Sequence, residues 1–291
     1  MTVAETLLDF VGAGGIRLAA DAAGDPADPP VLFLHGGGQT RHSWRGTARI
    51  VAERGWRAYT VDLRGHGESE WSAAGDYGID SFAGDVEAVV RHLQRPVAVV
   101  GASLGGLASL VALGEHPDLQ ASSLVLVDVA PHIEPSGAAR IGAFMQTNME
   151  HGFASLDEVA DAIAAYNPHR PRPADLSGLR KNVRQRSDGR WVWHWDPRFQ
   201  TGPREHHLDG HMSLAHPDRL DAAARALDLP ILLVRGKVSD LLSEEGAQQF
   251  LAIVPSAEYV NVEGAGHMVA GDRNDYFNKA ILDFLDRHRP A

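Results

Sequence analysis

The sequence has no cysteine among its 291 residues. That excludes a disulfide framework, a thiolate zinc site and a cysteine nucleophile. Lysine is scarce, three against twenty-four arginines, and 38 acids outnumber 27 bases for a formal charge of −11. So acidic a chain lacks the basic face that phosphate neutralisation requires, which argues against nucleic acid as a partner. It equally disfavours docking on anionic membranes. A long charge-free stretch is also missing, with one exception, Val97 to Gly114. That stretch holds four glycines and changes character at Gly101, so it reads as a strand entering a buried helix rather than a membrane span. The first ten residues carry acids early and no basic region followed by an apolar run. A signal peptide is therefore not expected, and a cytoplasmic location is.

What is present is globular: 44% hydrophobic residues and 30 glycines, enough for one large α/β domain or a core with an insert. Val31–Leu34, Ala58–Val61, Val97–Val100, Leu124–Val127 and Ile231–Val234 read as fully buried strands, with Tyr259–Val262 as a sixth. Helical spacing falls between them, at Ser43–Glu53, Asp80–Leu93, Leu104–Glu115, Ser243–Ile253 and Asp272–Arg287. Such alternation predicts an α/β fold with a mostly parallel twisted sheet covered by helices on both faces. The rhythm breaks after Pro131. Two or three amphipathic helices fit within Arg140–Ala165, and Trp191–Asp196 alternates at period two after the turn signal Ser187–Arg190. The expected division is a core of residues 1–130 and 226–291 with a mainly helical cap (lid) inserted at 131–225. Gly12-Ala-Gly-Gly15 is a poor dinucleotide fingerprint and reads as a hairpin turn.

One motif carries chemistry. Gly101-Ala-Ser103-Leu-Gly105 follows a buried strand and opens a helix, the context that a strained G-x-S-x-G nucleophile elbow requires. His35-Gly36-Gly37-Gly38 closes an earlier strand, where glycine permits the close backbone approach an oxyanion hole needs. Gly37 and Leu104 are the expected donors; His35 itself reads as a structural histidine under the loop. Gly264-Ala-Gly266-His267 follows the last strand and keeps the order Ser…His of that chemistry.

With Asp62-Leu-Arg64-Gly65-His66-Gly67-Glu-Ser69, these motifs resemble the α/β-hydrolase fold superfamily, in its capped serine esterase-like branch, over nearly the whole chain. The resemblance implies that the Asp62–Ser69 loop is mainly a structural turn beside the site. Epoxide hydrolases and haloalkane dehalogenases place an aspartate where this chain has Ser103, which argues against both reactions. The third triad member is open between two positions. In most of the family the acid lies in a run resembling Gly236-Lys-Val-Ser239-Asp240, but here that register holds Ser239, and Asp240 comes one residue late. Some members place it one strand earlier, where Asp128 stands. Asp128 is the favoured acid, Asp240 the alternative, and Ser239 a hydrogen-bonding neighbour of the imidazole and thus a fourth member.

The implied function is a serine hydrolase for a small to medium carboxylic ester or lactone. Ser103 attacks, His267 accepts its proton, and the N–H groups of Gly37 and Leu104 bind the oxyanion. No metal or cofactor is called for. The expected partner is a small-molecule substrate, with no nucleic acid and no membrane, in a monomer or homodimer. Competing readings on the same scaffold are a carbon–carbon bond hydrolase, a cofactor-free oxygenase or perhydrolase, and a non-catalytic ligand receptor. His206, His211 and His216 lack helical zinc spacing and read as solvated surface histidines. The tryptophans Trp191, Trp193 and Trp195 read as core on at least one side of their strand, and Phe144, Met145 and Met149 as packing rather than pocket.

Overall fold

A computed structural model describes residues 5–167, 172–201, 205–206, 212–213, 215–263, 266 and 275–290 of the chain. It opens with the hairpin β1 (Glu5–Val11) and β2 (Arg17–Ala23), joined by the tight turn at Ala13–Gly15. There follow β3 (Pro30–Leu34), α1 (Arg45–Glu53), β4 (Arg57–Val61), α2 (Ile79–Leu93), β5 (Val97–Ala102), α3 (Leu104–Glu115) and β6 (Ala121–Val127). After a long excursion come β11 (Ile231–Gly236), α8 (Glu244–Ile253), β12 (Glu258–Val262) and α9 (Asp275–Arg287).

Eight strands form one sheet in the order β1-β2-β4-β3-β5-β6-β11-β12. From β4 to β12 every pairing is parallel; only the β1–β2 and β2–β4 pairings are antiparallel. Strand periodicity divides the core in two. Leu32, Leu34, Val97, Val99, Leu124, Leu126, Ile231 and Leu233 pack under α2, α3 and α8. The alternate residues Val31, Phe33, Ala98, Val100, Val125, Val127, Leu232 and Val234 pack with α1 and α9. The strand at Ala58–Val61 is less enclosed than its apolar run implies, because Tyr59 is only partly buried beside the antiparallel hairpin, edge-on to Phe10. α3 is buried at every position but Glu115, which is why its sequence is apolar on all sides.

Between β6 and β11 the chain leaves the main sheet. It forms α4 (Pro135–Gln146), α5 (Leu156–Tyr166), the hairpin of β7 (Val183–Gln185) and β8 (Trp191–Trp193), α6 (Arg198–Thr201), the short pair β9 (Glu205–His206) and β10 (Met212–Ser213), and α7 (Pro217–Ala226). α7 sits directly on α3: a Cβ on Gly114 would lie 2.4 Å from the carbonyl oxygen of Ala223. Among the described residues no helix is long and apolar enough to cross a membrane.

A buried ion pair between the loop after β4 and α2 holds the hairpin turn. Arg64 donates from Nε and Nη2 to Asp85 at 2.6 Å each, and the Ala13 N–H donates to the same carboxylate at 2.9 Å. Removing one partner strands a desolvated charge, so Asp85→Ala should lower the unfolding free energy by about 3–5 kcal/mol. Urea denaturation followed by circular dichroism checks this; a loss under 1 kcal/mol contradicts it.

Candidate active site

The turn between β5 and α3 exists because backbone approaches backbone more closely than a side chain allows. A Cβ on Gly101 would stand 2.6 Å from the backbone of Gly105 and Gly106, and one on Gly105 would stand 2.6 Å from the Leu34 carbonyl. Between those glycines Ser103 adopts φ 47° and ψ −115°, a conformation costly for an L side chain. Its N–H donates to the Val127 carbonyl at 3.1 Å.

The neighbouring strand ends the same way. Ala102 pairs with Val127, so Ser103 and Asp128 are the next residues along two adjacent parallel strands, at one edge of the sheet. Asp128 also has positive φ, 52°, and is fully buried. Its carboxylate accepts the Gly236 N–H at 2.9 Å and the Ser239 hydroxyl at 2.5 Å. That hydroxyl is itself oriented, accepting the N–H groups of Leu241 and Leu242 at 3.1 and 3.2 Å. Asp240 points elsewhere: its carboxylate meets Arg140 of α4 at 2.5 Å and is about one-third exposed. His267 lies outside the described residues, as does the imidazole side of the expected Ser239 contact.

The loop after β3 is held by its neighbours. The Gly36 N–H donates to Gln39 Oε1 at 3.0 Å, the Gly38 N–H to His66 Nε2 at 3.1 Å, and the Gly105 N–H to the His35 carbonyl at 3.2 Å. Among the described residues no acceptor meets the N–H of Gly37 or Leu104. Arg41, almost fully buried, anchors the end of the loop by donating to Asp62 and Glu68 at 2.5 Å each.

Three buried histidines underlie this loop, each accepting a backbone N–H. His35 Nε2 accepts from Leu63 at 3.0 Å, His66 Nε2 from Gly38, and His194 Nδ1 from Gly67 at 2.7 Å. A nitrogen that accepts carries no proton, so all three rings are neutral. His66 and His35 complete their pairing by donating from Nδ1 to the Arg64 and Gly36 carbonyls. Burial is the main cause pushing the His35 ring down to about 4 and the His66 ring down to about 3, with the neighbouring His35 adding to the fall at His66. Burial likewise depresses His194 well below the ordinary range. Sequence reading missed His66 and His194 as supports of the site. Alternation put at least one side of Trp191–Trp195 in the core; the three tryptophans are buried, and His194 between them is as buried as they are.

A cavity of about 370 Å³ opens over Ser103, bounded by the Gly36–Gly38 loop, by Phe144 and Met145 of α4, and by Trp193 of β8. Phe144 and Met145 read from the sequence as packing rather than pocket. Both line the cavity, because α4 crosses above the glycine loop and brings the Met145 thioether within 3.3 Å of where a Gly38 Cβ would be. His216 is exposed and caps α7, accepting the Asp218 N–H; His206 and His211 have no described side chains. Among the described residues no group of histidine, aspartate and glutamate could hold a metal.

The parallel sheet, the elbow and the glycine loop are those of a single family, and the chain belongs to it: the α/β-hydrolase fold model matches residues 29–273. Esterase Rv0045c of Mycobacterium tuberculosis is 32% identical, over 89% of this chain and 83% of that protein. The 3-hydroxybutyrate-oligomer hydrolase of Cupriavidus necator is 31% identical, over 88% of each. Among solved structures, E-2-(acetamidomethylene)succinate hydrolase superposes with a TM-score of 0.79 at 25% identity, covering 97% of this chain and all of that one.

The neutral histidines set a pH dependence. Unfolded histidine takes up its proton near 6.5, but His35 and His66 do so only near 4 and 3 when folded. Unfolding below pH 6.5 therefore takes up protons, and stability falls as pH drops from about 6.5 towards 4, by about 1.4 kcal/mol per pH unit for each such ring. Above that window they contribute no pH dependence. His66→Leu, which orphans the Gly38 N–H, should cost about 1–3 kcal/mol at pH 7.5. It should also remove one proton from the uptake at pH 5, read from urea denaturation across pH.

Proposed function

We propose that this chain is a serine hydrolase that cleaves a carboxylic ester or lactone of small to medium size through an acyl-enzyme. The observation that carries the proposal is Ser103, held in left-handed backbone at the floor of a cavity whose wall includes Gly37. The unpaired N–H groups of Gly37 and Leu104 are the oxyanion donors, supplied by the early loop and by the residue after the nucleophile. His267 is the general base and Asp128 the acid that orients it, with Ser239 holding the Asp128 carboxylate as a fourth member. Asp240 is spent on Arg140 and takes no part.

In this mechanism Ser103 Oγ adds to the acyl carbonyl as His267 takes its proton, and the negative oxygen settles between the two N–H groups. His267 returns the proton to the leaving alcohol, and water attacks the acyl-enzyme by the same route. The chemistry requires no metal or organic cofactor. The segment between β6 and β11 serves as the cap, since α4, α5 and β8 supply most of the cavity's apolar wall. At about 370 Å³ the cavity is near the lower end of ligand pockets, roughly 300–1,000 Å³, which favours a compact substrate. The esterase and oligomer-hydrolase names of the relatives support the same reading.

Hydrolysis of p-nitrophenyl acetate, butyrate and octanoate tests it, with octanoate expected to be the poorest. Ser103→Ala should lose at least about 10³-fold in kcat and all labelling by an organophosphonate. Asp128→Asn should lose about 10²–10⁴-fold, and Asp240→Asn no more than a few-fold. Full activity in Ser103→Ala removes the proposal, and a large loss confined to Asp240→Asn reassigns the acid.

A further inference from the structure

The cavity wall has a charge character opposite to that of the chain. The protein carries 38 acidic residues and a net charge of −11, yet no aspartate or glutamate is among the described residues lining the cavity. Two cations are, Arg172 and Lys181, together with the amides of Gln39, Asn167 and Asn182. Arg172 is already neutralised, donating to Asp157 at 2.6 Å and Asp161 at 2.9 Å on α5. His42, also in the wall, is held towards its neutral form by burial first and by the Arg41 charge next. Lys181 differs. It makes no ion pair or hydrogen bond with any described residue, whereas the chain's other two lysines, Lys237 and Lys279, are paired with Glu263 and Asp283. An ammonium with no described carboxylate partner, beside a cavity whose described lining holds no carboxylate, raises the local concentration of anions and discriminates against cations.

We infer that Lys181 is an anion-recognition residue, and that the preferred substrates are esters carrying a free carboxylate. The inference rests on the ester-hydrolase reading and narrows its substrate class. In the complex the Lys181 ammonium donates to the carboxylate, Asn182 and Asn167 supply amide hydrogen bonds, and the Phe144 and Ile163 side chains enclose the carbon chain. The named activities of two relatives are consistent with this, since a 3-hydroxybutyrate oligomer and an acetamidomethylene succinate both bear carboxylates.

The test uses two matched pairs: p-nitrophenyl hydrogen glutarate against its methyl ester, with the carboxylate on the acyl side, and 3-butyryloxybutanoate against its methyl ester, with the carboxylate on the alcohol side. The readout is the ratio of kcat/KM for the acid to that for its methyl ester. In the intact chain this ratio should exceed one in at least one pair. It should fall about tenfold in Lys181→Met, the usual worth of a hydrogen bond to a charged group. It should be largely retained in Lys181→Arg and unchanged in Lys279→Met, a control for charge alone. A ratio below one in both pairs, or one that Lys181→Met leaves intact, overturns the inference.

A binding measurement separates this from failure of the parent reading. Glutarate titrated calorimetrically into Ser103→Ala should bind, and binding should be lost in the Ser103→Ala, Lys181→Met double variant. If no ester is turned over but glutarate binds in a Lys181-dependent way, the hydrolase reading falls and the anion site stands. Absence of binding, or binding that survives the loss of Lys181, refutes the site.

Discussion

The carboxyl edge of the sheet depends on the distance of approach between β5 and α3. Gly101 and Gly105 allow the helix to start almost in contact with the strands behind it, and the chain must turn through Ser103 in a conformation other side chains rarely adopt. The cost is of order 1–3 kcal/mol for each such residue, and it persists only because the buried sheet on either side over-determines the turn. Asp128, one strand away, likewise has positive φ. Two residues of positive φ thus stand side by side at the ends of adjacent strands.

Around that edge the polar interior is built mostly from uncharged acceptors. His35, His66 and His194 each meet a backbone N–H that would otherwise be buried without a partner. The Gly38 N–H of the glycine loop is met in this way by His66, while no described acceptor meets the N–H of Gly37, which lines the cavity. Two of the buried charge groups are ion-paired, Arg64 with Asp85 and Arg41 with Asp62 and Glu68, whereas the Asp128 carboxylate accepts from the Gly236 N–H and the Ser239 hydroxyl.

Much of this architecture was readable from the sequence, for a physical reason. Strands buried on both faces must be short apolar runs, and five of them announced a parallel sheet. The elbow could be read because its glycines are demanded locally, by turn geometry. The one-residue offset that separates Asp240 from Ser239 was also readable, and in the structure those neighbours face opposite ways, Ser239 to Asp128 and Asp240 to Arg140. What could not be read depends on docking between distant segments. The edge strand β1 has little apolar patterning because Leu7 and Val11 face solvent. Phe144 and Met145 have the same spacing whether they fill a core or line a cavity, and only the placement of α4 over Gly38 decides. His194 lies just past β8, whose Val192 is only partly buried, so alternation along the strand says nothing of its burial.

The bond between His194 and Gly67 has a consequence for how such enzymes diversify. The segment between β6 and β11 is stitched to the sheet-edge loops by buried polar contacts, including Tyr77 to Asp196 at 2.6 Å and Gly67 to His194. A graft of the corresponding segment from a relative would therefore bring more than a new pocket. Unless the incoming piece carries an acceptor at the position of His194 and a carboxylate at that of Asp196, it would orphan donors lying one hydrogen bond away from the glycine loop. New specificities on this scaffold are reached most cheaply by changing residues inside the existing segment, and exchange of the whole segment is restricted to donors that share its seam.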